Sequence, residues 1–529
     1  MTASPIAAEP TTIDVAIIGM GPVGKMAALM LARRGHSVLI SERKQLNYAL
    51  PRAVAHDAEV ARILQSVGLP PDSIPDAIEP YDDLYVWVNG NDDVLLEVDW
   101  RGIDPSGWHN TYFYNQPGLE AHLDNSVALH PELVTVRRGT EIAISSQDDD
   151  GADLTLTDLT TGATELLRAK YVLGADGANS ETRRSLGIGW HDLGYFYDWL
   201  VIDVVPGPSL HISPLAKQVC DPVRPTTIVP AGPGRRRWEF MRLEGERSED
   251  LVRPERIWQL LEPFGVTPET ASVERGVVYT FNSGWAASWR SGRVLLVGDA
   301  AHLMPPFAGQ GLAAGFRDCI NLMWKLDLVL RGVSPDSLLD TYESERTNHV
   351  ADFIAFSMSL GRVICITDPD AAHERDVAMV AARASREAPE PPPAPRLGAG
   401  VHESEAGGYL AWQGQIARTP RERLRFDNAF GSGALILNDA ALVDGIPVLD
   451  SLRELGITVA TFGNSTRSDV QEFNDLDGTY ADWFNKLGTA AVLVRPDFYV
   501  FGTADDPSSV AALVVRYEET VRTIVARER

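Results

Sequence analysis

The sequence predicts an α/β protein with more than one domain, and three observations support this fold class. Residues 13–18, IDVAII, form an apolar run of the length of a buried parallel strand, and GMGPVG and a helical pattern follow directly. Two later apolar runs, in YVLGADGANS at 171–180 and RVLLVGD at 293–299, also end in glycine and aspartate before a helical pattern. A proline-rich segment, REAPEPPPAPR at 386–396, then predicts a stiff linker and a domain boundary.

The composition is typical of a globular protein and argues against several classes of partner. Hydrophobic residues make up 44% and charged residues 23% of the 529 residues, and the formal net charge is −26. This charge argues against nucleic acid and against an anionic membrane surface, because both attract basic faces. No run of about 18 uncharged apolar residues is present, and residues 1–12 lack the features of a signal peptide, so we expect a loose N-terminal tail there.

The cysteine usage favours a reducing compartment. The three cysteines, Cys220, Cys319 and Cys365, are far apart in the sequence and form no CxxC pair. A disulfide framework or a thiolate zinc site is therefore not expected, no metal is predicted, and the cytoplasm is the expected location.

The first glycine-rich segment has the spacing of a dinucleotide-binding motif. Gly19 allows the tight turn after the strand, Gly21 lets the backbone approach a pyrophosphate, and Gly24 lets helix and strand pack closely. The start of the helix supplies N–H groups and a partial positive charge for phosphates. Glu42 ends the next predicted strand, where its carboxylate is placed to bind a ribose. The motif does not distinguish NAD from FAD, and a purely structural strand–helix turn is the alternative.

The two later motifs, in this order and spacing, choose between these ligands. With the first motif, Asp176-Gly177 and Gly298-Asp299 resemble the motifs of class A, para-hydroxybenzoate hydroxylase-like, FAD-dependent aromatic monooxygenases over about residues 13–365. The resemblance implies that the first motif binds the ADP half of FAD. It implies that Asp176 and Gly177 lie near the pyrophosphate and help to bind NAD(P)H, and that Gly298 and Asp299 hold the ribityl chain.

The resemblance also implies the domain organisation. We expect a FAD-binding Rossmann-like (GR2-type) domain over residues 13–385, with a substrate-binding β-sheet interleaved at about 80–115 and 190–290. Residues 397–529 resemble the thioredoxin-like tail of phenol hydroxylase relatives. This region has no cysteine, so thiol exchange is excluded and a packing or homodimerisation role is expected.

The segment GDAAHLMPPFAGQG carries most of the flavin contacts that the resemblance implies. Its two prolines would form a stiff wall beside the isoalloxazine ring, and its later glycines would let the backbone lie close to the ring. The helix that follows would direct N–H groups at the anionic reduced flavin. A tight connection between strand and helix is the alternative. The residues assigned here are Pro305, Pro306, Gly309, Gly311, Leu312 and Ala313.

Further cofactor contacts follow from family positions outside these loops. Gln116, in TYFYNQPGLEAHL, matches a residue that contacts the flavin side chain. Arg43 and Arg52 match residues near the adenosine or the flavin, with a solvated surface charge as the alternative for each. Pro22 and Val23, inside the first motif, complete the predicted cofactor site.

The substrate side is less well specified. The segments 218–242 and 51–69 resemble 3-(3-hydroxyphenyl)propionate hydroxylases. Arg224 or Arg237 could pair with a substrate carboxylate, with solvent-facing ion pairing as the alternative for either. The general-base candidates are Tyr114, His211 and Tyr279, each of which could instead be a core or surface residue. The candidates for lining the substrate pocket are Trp238, Phe240, Pro305 and Phe307.

The resemblance implies an oxygenase that uses FAD, NADH or NADPH, and dioxygen. The expected reaction hydroxylates a small phenolic substrate, such as a 3-hydroxyphenyl-alkanoic acid, through a flavin C4a-hydroperoxide. Ring cleavage or Baeyer–Villiger insertion on the same scaffold, a flavin reductase without oxygenation and a non-catalytic flavin protein are the alternatives.

Overall fold

A computed structural model describes residues 12–47, 53–194, 197–385, 396–443, 450–462, 465 and 467–524. The predicted tail apart from Thr12, the predicted linker apart from Arg396, and Arg52 lie outside the described residues. Between them the elements alternate between strands and helices, as the sequence predicts.

The strands of the N-terminal region belong to four sheets. In chain order they are β1 (Thr12–Ile18), β2 (Val38–Glu42), β3 (Ala55–Asp57), β4 (Ile78–Tyr81), β5 (Leu84–Val88), β6 (Val94–Asp99), β7 (Thr111–Tyr114), β8 (Val134–Arg138), β9 (Thr140–Gln147), β10 (Ala152–Asp158), β11 (Thr164–Gly174), β12 (Trp190–Asp192), β13 (Tyr197–Pro206), β14 (Ala216–Val219), β15 (Thr226–Pro230), β16 (Arg236–Met241), β17 (Ala271–Phe281), β18 (Gly284–Ala286), β19 (Arg290–Ser291), β20 (Val294–Leu296) and β21 (His302–Leu303).

The helices of this region cover the sheets or connect them. They are α1 (Pro22–Ala32), α2 (Ala58–Ser66), α3 (Gln116–Ala128), α4 (Glu181–Ser185), α5 (Ser248–Leu251), α6 (Pro254–Leu261), α7 (Gly311–Leu330), α8 (Asp340–Ile364) and α9 (Pro369–Ser385). A test of length and hydropathy within the described residues finds no single helix able to cross a membrane, and one bent pair of helices, 336–364 with 369–385, that meets the criteria together.

The described residues of the C-terminal region add eight strands and four helices. They are β22 (Gln415–Ala417), β23 (Leu424–Arg425), α10 (Phe426–Phe430), β24 (Gly433–Leu437), α11 (Asp450–Glu454), β25 (Ile457–Thr461), β26 (Gln471–Glu472), β27 (Asn474–Asp475), α12 (Thr479–Leu487), β28 (Ala491–Val494), β29 (Val500–Ala504) and α13 (Pro507–Thr523).

The eight-stranded sheet that contains β1 brings the three sequence motifs together. Its order is β19-β20-β11-β1-β2-β8, and β1 is parallel to both β11 and β2. Ile18 at the end of β1 pairs with Gly174 at the end of β11, and Gly174 pairs with Leu296 of β20. Because parallel strands end at the same edge of a sheet, the three loops that follow them emerge side by side. This confirms the predicted Rossmann-like arrangement.

A seven-stranded sheet forms the interleaved second layer. Its order is β17-β13-β16-β15-β14-β5-β6, so strands from two separate stretches of sequence contribute to it. Alternate residues point to opposite faces. One face carries Leu200, Trp238 and Phe240 and packs against α6, whereas the other carries Trp199 and Phe281 and packs against the loop after β21.

The C-terminal region has the predicted thioredoxin-like topology. Its main sheet has the order β26-β25-β24-β28-β29. Strands β24 and β25 are parallel, β28 is antiparallel to β24, and a hairpin joins β28 to β29. The final helix, α13, packs on β29. The region therefore has the thioredoxin-like order of elements, although its sequence contains no cysteine.

Candidate active site

Two of the first motif's glycines are required by the packing of the loops. Gly19 has a φ of 106°, and a Cβ added to it would lie 2.4 Å from the carbonyl oxygen of Ala175. A Cβ added to Gly24 would lie 2.1 Å from the carbonyl oxygen of Gly19. A larger residue at position 19 would push apart the loops after β1 and β11, and one at position 24 would push the start of α1 away from the turn at Gly19.

Gly21 differs because it faces open space. A Cβ added there meets no protein atom within 4 Å. Gly21 is also the N-cap of α1, Pro22 follows it, and the first turn of the helix has no acidic residue and no side-chain cap in the described structure. The N–H groups of the first turn of a helix lack intrahelical acceptors, so this end of α1 fits a pyrophosphate.

Glu42 lies at the carboxyl end of β2, beside this helix start. Its carboxylate accepts hydrogen bonds from the backbone N–H of Met20 at 3.3 Å and of Lys44 at 2.9 Å. The two bonds hold the half-buried side chain in one orientation. A carboxylate has about four acceptor positions, so this arrangement is compatible with a ribose hydroxyl as a further donor.

The middle motif, Asp176-Gly177, has a local structural role in addition to its predicted position near the pyrophosphate. Asp176 accepts hydrogen bonds from the hydroxyl of Ser180 at 2.5 Å and from the N–H and hydroxyl of Thr182 at 2.9 and 3.0 Å. Its carboxylate thereby organises the start of α4. Gly177, with a φ of 79°, faces open space beside it. The structure brings both residues next to Gly19, where the sequence predicts a pyrophosphate.

A buried aspartate on α7 holds the third motif. Asp318 accepts hydrogen bonds from the N–H of Gly298 at 3.0 Å and from Arg346 Nε at 3.0 Å, and its Oδ2 lies 2.7 Å from His302 Nε2. Burial alone would raise the pKa of Asp318, but His302 and Arg346 outweigh it and the pKa is lowered. His302 therefore anchors this loop through Asp318, whereas Asp299 beside it is exposed.

Asp318 was not predicted, although a signal existed. It is an acidic residue inside the otherwise apolar stretch of the α7 pattern, and it is completely buried. A buried carboxylate requires partners, but the sequence does not show that they come from residues 298, 302 and 346.

Helix α7 begins at the end of this loop with an uncapped N-terminus. Gly309 has a φ of 66° and Gln310 is the N-cap. Within the described structure Gln310 makes no capping hydrogen bond, and the first turn contains no acidic residue. A Cβ added to Gly311 meets no protein atom within 4 Å. The N–H groups at Leu312 and Ala313 therefore start a 20-residue helix beside open space, which favours negative charge there.

The other predicted cofactor residues, Val23, Gln116 and Arg43, differ in how far they are buried. Val23 packs under Gly298, since a Cβ on that glycine would lie 3.1 Å from it. Gln116 is buried, accepts a hydrogen bond from the N–H of Ala53 at 3.1 Å and donates to Glu120 at 2.8 Å. Arg43 is exposed, and its Nε lies 3.3 Å from the Glu141 carboxylate.

Aromatic side chains line the face of the seven-stranded sheet next to the loop of the third motif. Phe307 lies with its ring centroid 5.6 Å from Trp199 and 5.7 Å from Phe281, at near-perpendicular angles. The carbonyl oxygen of Pro305 accepts a hydrogen bond from Ser357 at 2.6 Å, which fixes the loop to α8. Pro306 is exposed. The loop after β21 and the sheet thus form two sides of one aromatic-lined region.

A group of ionisable residues lies on the same sheet face. The Asp203 carboxylate is completely buried and forms ion pairs with two arginines. Arg237 Nε lies 2.7 Å from it and Arg275 Nε lies 2.8 Å from it. Glu239 lies 3.5 Å from Arg237, and Arg275 donates to the Tyr279 hydroxyl at 3.0 Å. Burial raises the pKa of Glu239. Two cations and two carboxylates therefore balance each other on this face.

Four of the predicted substrate or base residues lie elsewhere. Trp238 and Phe240 are on the opposite face of the sheet, in the cluster with α6, because alternate residues of β16 point apart. Arg224 is occupied by Glu246, at 2.6 Å. His211 is exposed in the connection between β13 and β14. The structure does not bring these four residues to the aromatic-lined face.

Tyr114 is buried, and its hydroxyl has no hydrogen-bond partner among the described residues. Burial raises the pKa of this phenol well above its ordinary value. A buried phenol of raised pKa stays protonated at neutral pH, so its surroundings do not favour a role as a general base.

Family comparison identifies the protein's class. A model described as "FAD binding domain" matches residues 12–373, and one described as "HcaD C-terminal domain" matches residues 408–519. The chain belongs to the FAD-dependent aromatic hydroxylase family. The three glycine-containing loops, with Gly21, Gly177 and Gly311 facing open space, fit the extended dinucleotide that this family binds.

Two similar relatives are hydroxylases of different aromatic compounds. The chain is 38% identical, over 99% of its length and 98% of the relative, to a probable NADH-specific resorcinol 4-hydroxylase of Rhodococcus jostii (strain RHA1). It is 32% identical, over 93% of its length and 89% of the relative, to a 3-(3-hydroxy-phenyl)propionate/3-hydroxycinnamic acid hydroxylase of Mycobacterium sp. (strain JLS).

Solved structures show the same fold at lower identity. The flavin-dependent monooxygenase PieE, in complex with FAD and substrate, superposes with a TM-score of 0.77 at 22% identity, covering 96% of this chain and 99% of that one. Aklavinone-11 hydroxylase, with FAD and aklavinone, gives 0.76 at 24% identity, covering 96% and 98%. Both matches extend through the C-terminal region.

Proposed function

We propose that this FAD-dependent hydroxylase acts on a small, uncharged phenol of the resorcinol class and takes electrons from NADH. The observation that carries the choice of substrate is the charge balance on the aromatic-lined sheet face. Arg237 and Arg275 face Asp203 and Glu239, so the two cations already have carboxylate partners. A substrate carboxylate, as in a hydroxyphenyl-alkanoic acid, would have to compete with these buried pairs.

The two relatives support the same choice. The probable resorcinol 4-hydroxylase shares 38% of residues over nearly the whole chain, and the hydroxyphenylpropionate hydroxylase shares 32%. Arg224, the other predicted carboxylate ligand, is paired with Glu246. The first relative is described as NADH-specific, which is the basis for the proposed electron donor.

Glu239 has the chemistry to recognise a phenolic hydroxyl. Its side chain is 14% exposed on the aromatic-lined face, and burial raises its pKa. A buried carboxylate is a strong hydrogen-bond acceptor, so it would orient a substrate hydroxyl and increase the electron density of the ring. We assign Glu239 this role within the proposed function, with Tyr279 held by Arg275 beside it.

Bound FAD supplies the reduction and activation of dioxygen. The protein contributes charge stabilisation and the exclusion of water. The start of α7 stabilises negative charge at the flavin, and Phe307 with Trp199 and Phe281 excludes water from the reacting ring. The cytoplasm is the proposed location, supported by three buried cysteines that form no disulfide.

The proposal is tested with purified protein saturated with FAD. Oxidation of NADH and of NADPH is followed with resorcinol and, separately, with 3-(3-hydroxyphenyl)propionate, and products are analysed by mass spectrometry under ¹⁸O₂. We expect resorcinol to stimulate NADH oxidation and to gain one labelled oxygen. Preference for the propionate would overturn the choice of substrate. Turnover without a labelled product would indicate a reductase, and a ring-opened product would indicate cleavage or insertion.

A further inference from the structure

A chain of hydrogen bonds links the C-terminal domain to the loop that begins α7. The Tyr499 hydroxyl donates to Glu59 Oε1 at 2.7 Å, and Arg317 Nε donates to Glu59 Oε2 at 2.5 Å. Arg317 Nη1 donates to Gln310 Oε1 at 2.7 Å. Tyr499, Glu59 and Arg317 are at most 3% exposed. The connection from residue 499 to the N-cap of α7 therefore passes through three buried side chains.

Asp57 closes the same network into a ring. Its Oδ2 accepts hydrogen bonds from Arg317 Nη2 at 2.5 Å and from Gln310 Nε2 at 3.1 Å. Its Oδ1 accepts from the N–H of Val60 at 3.1 Å and caps α2. Both ends of the Gln310 amide are thus anchored. Because glycines at 309 and 311 leave the backbone on either side permissive, the side-chain anchors of Gln310 determine where α7 begins.

The turn that carries Tyr499 has a strained backbone. Phe498 has a φ of 73°, which is rare for a bulky residue. Its ring is completely buried in the core of the FAD-binding domain, and the guanidinium of Arg62 lies 4.5 Å from its centroid. Arg495, in the same turn, donates to Glu345 of α8 at 2.8 Å. These contacts hold the turn in its strained conformation and place the Tyr499 hydroxyl within hydrogen-bond distance of Glu59.

We propose that Tyr499 is a positioning residue for the flavin site and acts through Glu59 and Arg317 on Gln310. By holding the N-cap of α7, it sets the position of the helix N–H groups against bound FAD. The C-terminal domain thereby contributes to the cofactor site without contacting the cofactor. This inference rests on FAD binding, not on the proposed substrate, so a different substrate leaves it unchanged.

The test compares Tyr499→Phe with a matched control in the same domain. Tyr517 is also completely buried, but its hydroxyl has no hydrogen-bond partner among the described residues, so Tyr517→Phe removes an oxygen without breaking the network. FAD affinity is measured by fluorescence quenching on the apoprotein, and the visible flavin spectrum is recorded. We expect Tyr499→Phe to weaken FAD binding about threefold to tenfold and to shift the spectrum, as loss of a hydrogen bond to a charged group implies. Tyr517→Phe keeps the wild-type values.

A double-mutant cycle separates positioning from simple domain docking. Gln310→Ala removes the end of the chain, and Tyr499→Phe with Gln310→Ala removes both ends. If Tyr499 acts through Gln310, the double variant binds FAD about as weakly as Gln310→Ala alone, because coupled sites are not additive. The proposal would be overturned if the loss of FAD affinity in the double variant equalled the product of the two single losses. Equal FAD affinities for Tyr499→Phe and Tyr517→Phe would also overturn it.

Discussion

The ammonium group of Lys25 and the carboxylate of Glu120 lie 3.0 Å apart, and both side chains are almost completely excluded from water. Asp124 lies 3.0 Å from the same ammonium group. Lys25 follows the third glycine of the first motif, and Glu120 also accepts the hydrogen bond from Gln116. The pair therefore joins α1 to α3 beneath two parts of the predicted cofactor site.

Replacement of Lys25 should destabilise the protein strongly. Lys25→Met leaves the buried Glu120 carboxylate without its cation, whereas Asp124 keeps Arg138 at 3.6 Å. We expect a loss of about 3 kcal/mol in the free energy of unfolding, typical of a broken buried pair. Denaturant unfolding of the apoprotein, followed by tryptophan fluorescence, measures it. Lys25→Met combined with Glu120→Gln should recover part of the loss. Wild-type stability of the single variant would contradict this account.

Removal of the Asp299 carboxylate should weaken FAD retention. Asp299 is exposed in the turn after β20, beside the loops of the other two motifs, where we expect it to accept hydrogen bonds from the ribityl chain. Asp299→Ala should lose yellow colour on gel filtration and bind FAD at least about tenfold more weakly, as loss of a charge-assisted hydrogen bond implies. Asp149→Ala, in the exposed β9–β10 turn, is the control. Full colour in Asp299→Ala would remove Asp299 from the site.

The two faces of the seven-stranded sheet should respond differently to mutation. Phe307→Leu removes the ring that contacts Trp199 and Phe281, and we expect more of the consumed NADH to yield hydrogen peroxide because water enters the site. Phe240→Leu, on the opposite face, should cost stability but leave this ratio unchanged. Peroxide and product are quantified in the same reaction. Equal ratios in the two variants would show that the aromatic-lined face is not the substrate side.

Stability should fall as the pH is lowered, partly because of His56. Burial lowers the pKa of His56 to about 4, compared with about 6.5 in an unfolded chain. Between pH 6.5 and 4 the unfolded chain binds a proton that the folded chain does not, so acidification through this range favours unfolding. His56→Phe should flatten the dependence of Tm on pH over the same range. His211→Gln, at an exposed position, is the control, and equal slopes in His56→Phe and wild type would contradict the prediction.

The parts that the sequence predicted are those in which local chain geometry carries the information. Gly24 is needed because of a contact with Gly19 inside one strand–turn–helix unit, and that unit is visible as a spacing. Gly19 occupies a fixed place in the same spacing, although the contact that requires it is with Ala175 in the loop after β11. Strands β1, β11 and β20 are parallel neighbours, so the loops that follow them emerge at one edge of the sheet. The nucleotide-binding loops were therefore identifiable without coordinates.

The parts that the sequence missed depend on which face of an element meets another. The alternation in β16 shows that Arg237 and Trp238 point apart, but only packing against α6 decides which of them faces the aromatic-lined side. Likewise, nothing near Asp318 or Arg317 in the chain indicates that one holds the Gly298 loop and the other holds Gln310.

The amino-acid sequence by itself determined the family and the fold class of the protein, because turns, periodicity and motif spacing are properties of neighbouring residues. Only the tertiary structure decided that Arg237 and Arg275 pair with Asp203. It also decided that Tyr499 is linked to Gln310 through Glu59 and Arg317. Such contacts join residues up to 440 positions apart. Their formation depends on burial, which gives a hydrogen bond or an ion pair its strength and leaves no local pattern in the chain.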